Sequence, residues 1–79
     1  MDFVEIGQYI AKNRKNQNIS QEQMATDINI SRATLSNFEN GKASDIGLKK
    51  VLLIVDYLGL QIELKPKSRF PIFEEVIGG

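Results

Sequence analysis

The stretch from Ser20 to Gly41 constrains this chain more than any other, because it packs two helix starts and two helix stops close together. Ser20 followed three residues later by Gln23 is a capping box: the serine side chain accepts the amide three residues on, and the glutamine reaches back. Met24, Ala25 and Ile28 then mark a helix of about eight residues with one apolar side. Asn29 follows, and asparagine is the non-glycine residue most tolerant of left-handed backbone. Ser31 caps a second short helix with Leu35 and Phe38 facing inward, and Asn40-Gly41 closes it. Ala25 is small where two helices must approach closely. Met24, Ile28, Ile30, Leu35 and Phe38 fill the positions that lock the pair at a steep angle.

The flanks supply the rest of the domain. Phe3, Ile6 and Ile10 have helical spacing, and Asp2 with Glu5 forms the start signal of a first helix. Gly7 lies inside it at a cost of about 1 kcal/mol against alanine, and the helix ends in the polar stretch Asn13 to Asn18. Ser44 or Asp45 caps a fourth helix running to about Leu58. Its inner stripe reads Leu48, Val51, Leu52, Val55 and Leu58, with Leu53, Ile54 and Tyr57 on the opposite side. A helix apolar on two faces is either deeply buried or shared with a partner, and a small chain favours the partner. Gly59 ends the helix. Leu60 to Lys65 then alternates with period two, as a half-buried strand does, and Pro66 stops it. A lone strand leaves backbone groups unpaired, so the same strand of a second copy, antiparallel across a two-fold axis, is the expected remedy. Residues 1–66 thus form one domain. The tail, 67–79, carries Phe70-Pro71-Ile72-Phe73 and then Glu74-Glu75, and it is too apolar for a simple solvated tail.

Composition narrows the chemistry. The 79 residues contain neither cysteine nor histidine, which excludes a disulfide framework, thiolate or imidazole zinc sites, and nucleophile–histidine catalysis. No cofactor signature is present, and the adjacent Glu74 and Glu75 lack a partner nucleophile, so no enzyme constellation emerges. Net charge is zero, which rules out coating nucleic acid by charge alone but permits a local basic patch. From Ser31 to Arg69 basic residues outnumber acidic ones, whereas the first thirty residues are slightly acidic. The opening residues carry no secretory signal, and the longest apolar run, Val51 to Val55, is far below the roughly 20 residues of a membrane span. The expected location is cytoplasmic, and nucleoid-associated through DNA.

Two capped helices at a steep angle are the helix-turn-helix arrangement, which offers the start of its second helix to the DNA major groove. Ser20 to Ala25, followed by Ser31-Arg32-Ala33-Thr34-Leu35-Ser36-Asn37-Phe38-Glu39-Asn40-Gly41, resembles the Cro/phage-repressor (Xre-type) family over about residues 3 to 60. Asn29 departs from the glycine usual there, a conformationally mild change. The run from Ala33 to Asn40 with a terminal strand is most similar to HipB-type antitoxins, dimeric repressors that neutralise a HipA-type kinase toxin and repress their own operon. The fold expected is mainly α: a four-to-five-helix, lambda-repressor-like domain with one C-terminal strand pairing across a homodimer two-fold.

The resemblance implies residue roles. Gln21 touches phosphate and braces the recognition helix. Ser31, Arg32 and Ala33 face base edges, Arg32 suiting guanine N7 and O6 and Ala33 a thymine methyl. Ser36 and Asn37 lie one turn on, and Asn40 and Lys42 clamp the DNA backbone. Lys12, Arg14 and Lys15 add phosphate contacts, or equally form a solvated helix end. Arg32 has a competing surface ion pair with Glu39 or Asp27, and Glu39 is expected to pair within the protein. The tail residues Phe70, Ile72 and Phe73 are candidates for docking the toxin, or for folding back on their own dimer. The partners implied are a palindromic double-stranded operator, a second copy, a HipA-type kinase toxin, and no membrane. A protein-interaction adaptor that uses the fold without DNA is the competing function, supported by the zero net charge.

Overall fold

The computed structural model describes residues 2–42 and 45–67. Four helices make up the fold: α1 (Phe3–Asn16), α2 (Gln21–Asp27), α3 (Arg32–Glu39) and α4 (Leu48–Tyr57). Ser44 and the whole segment 68–79, with Phe70, Ile72 and Phe73, lie outside the described residues.

Three helices start on the side chains that the sequence nominates. Asp2, Ser20 and Ser31 each accept the amide three residues on, from Glu5, Gln23 and Thr34. The reciprocal half of the expected capping box is not formed, however. The Gln23 amide donates to Asp27 Oδ1 at 2.8 Å, one helical turn on, instead of reaching back. α4 also starts differently from expectation. Asp45 does not cap it; its carboxylate accepts the Gly47 amide at 2.9 Å in a turn, and Gly47 is the N-cap residue, without a side-chain cap.

All four helices end alike. Asn18, Asn29, Gly41 and Gly59 each take left-handed backbone, with φ of 59°, 58°, 71° and 75°. After each helix the next residue's amide turns back onto a carbonyl five residues earlier: Ile19 to Arg14, Ile30 to Ala25, Lys42 to Asn37 and Leu60 to Val55, at 2.9–3.1 Å. This is the Schellman closure, and it satisfies carbonyls that a helix end would otherwise orphan. It also reverses the chain within about four residues, which is what lets α2 and α3 cross closely.

The core gathers Ile10, Met24, Ala25, Leu35, Phe38, Ile46, Ile54, Val55 and Leu58. Phe3 stacks at a tilt on Phe38, ring centroids 5.3 Å apart. Gly7 is there for space: a Cβ on it would stand 2.0 Å from the Phe38 carbonyl oxygen. Its helix-propensity cost therefore serves the close approach of α1 to α3.

The rotation of α4 differs from the expected stripe. Val51, Ile54, Val55 and Leu58 face the core, while Leu48 is 70% exposed and Leu52 47%. Both readings obey helical spacing, because apolar residues nearly encircle this helix. Two polar ties set the rotation. Gln17 Nε2 donates to the Leu58 carbonyl at 2.8 Å, and the Tyr57 hydroxyl donates to Asp27. The expected strand, Leu60 to Lys65, has no pairing partner among the described residues, and Leu64 is 91% exposed.

Two measurements probe this packing. Gly7→Ala should lower the unfolding free energy by about 2 kcal/mol or more in urea melts, since overpacking against backbone outweighs the propensity gain of about 1 kcal/mol; an unchanged midpoint would contradict the close approach. The Tyr57 hydroxyl, with help from the Gln23 amide and against a small burial effect, holds the Asp27 carboxyl below its ordinary value. A depressed folded-state pKa stabilises above the ordinary carboxylate range and is lost as pH falls through the folded value. Tyr57→Phe should therefore raise the Asp27 carboxyl titration seen by NMR and flatten the acid limb of the stability profile.

Candidate nucleic-acid interface

Successive residues of α3 are about 100° apart around its axis. That spacing puts Leu35, Phe38 and Glu39 on one side, and all three are buried. Arg32, Ala33, Ser36, Asn37 and the C-cap Asn40 fall on the opposite arc of about 140°. Four of these are exposed and Ser36 is half-buried. The expected base-reading residues therefore share one continuous outward face.

The inward side is locked by charge. Arg14 of α1 is buried against Glu39, with Nε to Oε2 and the second terminal nitrogen to Oε1 both at 2.8 Å. Its remaining nitrogen donates to the Ile19 carbonyl at 2.7 Å. Gln21, the first residue of α2, donates from Nε2 to Glu39 Oε1 at 2.9 Å. One carboxylate thus joins α1, α2 and α3. The hydrogen bond to Glu39 raises the Arg14 pKa above its ordinary value, burial opposes this, and the charge of Glu39 adds to it.

This geometry corrects one expectation: Arg14 is not available to phosphate, because its guanidinium is spent inside the fold. Its position was readable. Arg14 follows Ile10 by four residues and so shares the buried side of α1, but the neighbouring Lys12 and Lys15 made the stretch look like a solvated basic end. Glu39 does pair within the protein, as expected. Arg32 pairs with neither Glu39 nor Asp27; its nearest acid is Glu22, at 3.9 Å between two exposed side chains, a contact easily exchanged for another. The Asp27–Tyr57 and Gln17–Leu58 ties have no signature in the sequence, since no local pattern announces bonds across thirty or more residues.

The remaining nominated residues sit around the same face. Ser31 accepts the Thr34 amide at 3.0 Å and donates to Thr34 Oγ1 at 2.7 Å, so its hydroxyl is occupied with starting α3. Asn40 Nδ2 donates to Ser36 Oγ at 3.3 Å. Lys42 closes α3 through its backbone while its side chain is exposed. Gln21 keeps a second amide hydrogen beyond the bond to Glu39. A polar groove of about 500 Å³ runs beside this lock, lined by Gln8, Lys12, Lys15, Gln21 and Asn40 among others. No group of acidic residues able to hold a metal ion occurs among the described residues. None of the described helices is long and apolar enough to cross a membrane.

A model of the helix-turn-helix family of the Xre/Cro type matches residues 10–65, which span all of α2, α3 and α4 and the second half of α1. The chain belongs to that family. It is a family of DNA-binding transcriptional regulators, typically without enzymatic activity. No curated protein matches the chain.

The buried pair is open to a direct test. Arg14→Met leaves the Glu39 carboxylate buried with only Gln21 for company, and should cost about 3–5 kcal/mol in urea unfolding. Arg14→Met combined with Glu39→Met should recover most of that loss, since apolar replacement of both partners is often neutral. A double variant as unstable as the single one would show that the ion pair is not what makes Arg14 necessary.

Proposed function

We propose that this chain is a dimeric, sequence-specific transcriptional repressor that reads a palindromic operator with the outward face of α3. The supporting observation is that Arg32, Ala33, Ser36, Asn37 and Asn40 share one exposed arc while the opposite side of the helix is locked by Arg14, Glu39 and Gln21. Arg32 addresses guanine N7 and O6, and Ala33 a thymine methyl. Ser36 and Asn37 contact bases or phosphates one turn on. Ser31 adds a contact beyond its capping role, while Gln21, Asn40 and Lys42 hold the DNA backbone. With so few cations per copy, two recognition helices about 34 Å apart supply the affinity. The protein works in the cytoplasm, at the nucleoid.

The narrower reading is an autoregulating antitoxin of the HipB type, whose partner is a HipA-type kinase toxin. It rests on the resemblance of the run from Ala33 to Asn40, and it assigns toxin docking to Phe70, Ile72 and Phe73 of the tail. Co-purification of the product of an adjacent kinase-like gene, lost on deleting residues 68–79 with DNA binding intact, would support it. The alternative is an adaptor that uses this fold without DNA, and the zero net charge is the observation in its favour.

Arg32→Ala separates these readings. The repressor should lose about 1–3 kcal/mol of binding to an operator selected from random duplexes, at an unchanged melting temperature. Wild-type affinity should also fall steeply with salt. Selection that enriches no sequence, or an Arg32→Ala protein that binds as wild type does, would overturn the repressor reading in favour of the adaptor.

A further inference from the structure

Two side chains at the reading edge carry opposite charge. Arg32, the first residue of α3, has its Nη1 3.9 Å from Glu22 Oε2, and both side chains are mostly exposed. Glu22 is the one acid within ion-pair distance of Arg32 among the described residues. It stands in the first turn of α2, where a carboxylate suits the helix dipole. It also adjoins Gln21, which the proposed reading places on a phosphate. A carboxylate there repels the DNA backbone, and it lacks the burial that takes Glu39 away from the surface. That charge works against bare affinity for DNA. It works in favour of refusing the wrong DNA.

We infer that Glu22 is a positioning residue for Arg32, and that the pair sets how strongly the protein rejects sequences without guanine at that place. The inference rests on the repressor reading and deepens it. A guanidinium has five N–H donors in a rigid fork. Guanine takes two of them through O6 and N7, so a carboxylate beside Nη1 can keep another while the base is read. Glu22 thus narrows the directions open to a long, exposed side chain before DNA arrives. No other base presents two acceptors in the major groove. At such a base the guanidinium's next partner is a phosphate, which carries no sequence information. Glu22 opposes that outcome twice: it competes for the guanidinium within the protein, and it repels the phosphate. The pair is exposed and therefore weak, and the scheme needs it weak. A pair as buried as Arg14 and Glu39 would not yield to a base.

The affinities to compare are those for the selected operator and for a random duplex. Exposed ion pairs shift an equilibrium by about 1.4- to fivefold, so Glu22→Gln in both copies of a dimer should lower the operator-to-random ratio by about two- to thirtyfold. The loss should come mainly from tighter binding to the random duplex, with a steeper fall in salt. Glu22→Ala should behave alike, which covers a glutamine amide that makes its own bond to Arg32. In an Arg32→Ala background, Glu22→Gln should leave the ratio where Arg32→Ala sets it. Equal tightening on both duplexes, or the same drop in ratio with and without Arg32, would show a general charge effect and overturn the inference. A lowered melting temperature with an unchanged ratio would also overturn it, leaving Glu22 only its part in the α2 dipole. Wild-type selection that enriches no sequence sinks the repressor reading and this inference with it. An enriched operator that Glu22→Gln discriminates as well as wild type sinks this inference alone.

Discussion

The orientation of α3 depends on one buried carboxylate. Apolar packing of Leu35 and Phe38 drives the helix onto the core but tolerates some rotation, because dispersion and burial are not directional. Glu39 removes that tolerance. Its two oxygens take three donors from two other helices, and these bonds can be made together only at one rotation and one height of α3. Buried ion pairs often add little net stability, since desolvation offsets the attraction. The value of this one lies in geometry. It also turns the only acidic side chain of α3 away from the outward face, where a negative charge would oppose phosphate.

Short helices need such help. α2 has 7 residues and α3 has 8, well below the roughly 12–15 at which an isolated helix becomes marginal in water. Each is held by a serine cap at its start, a left-handed residue at its end, and one apolar side on the core. The turn between them does three jobs in four residues: Ile28 finishes α2, Asn29 reverses the chain in left-handed backbone, and Ser31 starts α3. Ile30 lies between and packs against the core. The turn is thus a hinge made stiff by its own hydrogen bonds, and it fixes the steep crossing that puts the start of α3 outward.

What could be read from residues alone divides by the range of the interaction. Caps, left-handed stops and the inward positions of Leu35, Phe38 and Met24 are local, and the chain states them within a few residues of where they act. The side of α3 left exposed follows from the same periodicity, so the outward face was legible as a set. The rotation of α4 is not, because Val51, Val55 and Leu58 make an apolar stripe of similar quality either with Leu48 and Leu52 or with Ile54, and the choice is made by Gln17 and Tyr57 binding distant partners. Arg14 was hidden for a related reason. A guanidinium next to two lysines reads as solvated, and only the carboxylate 25 residues away makes burial affordable. Gly7 is a weakness by helix propensity alone, and only the distant Phe38 carbonyl gives its missing side chain a purpose.

A chain of zero net charge is an unusual candidate for DNA, and the structure bears on why that sum misleads. Binding feels the local field, not the total. The outward arc of α3 carries no acid, since Glu39 is turned inward. Arg32, Lys42, Lys12 and Lys15 are exposed around it, and Gln21 and Asn40 offer neutral donors at the same edge. Four or so cations neutralise few phosphates, so counterion release gives a single copy only weak, sequence-independent affinity. On the proposed dimeric reading, a weak single copy makes the second copy decisive. Doubling the contacts through a fixed dimer multiplies affinity for correctly spaced half-sites and leaves single half-sites nearly unoccupied. On the proposed reading, neutrality is therefore a source of selectivity: it suppresses binding to bulk DNA and leaves discrimination to base contacts and to the half-site spacing that a fixed dimer imposes.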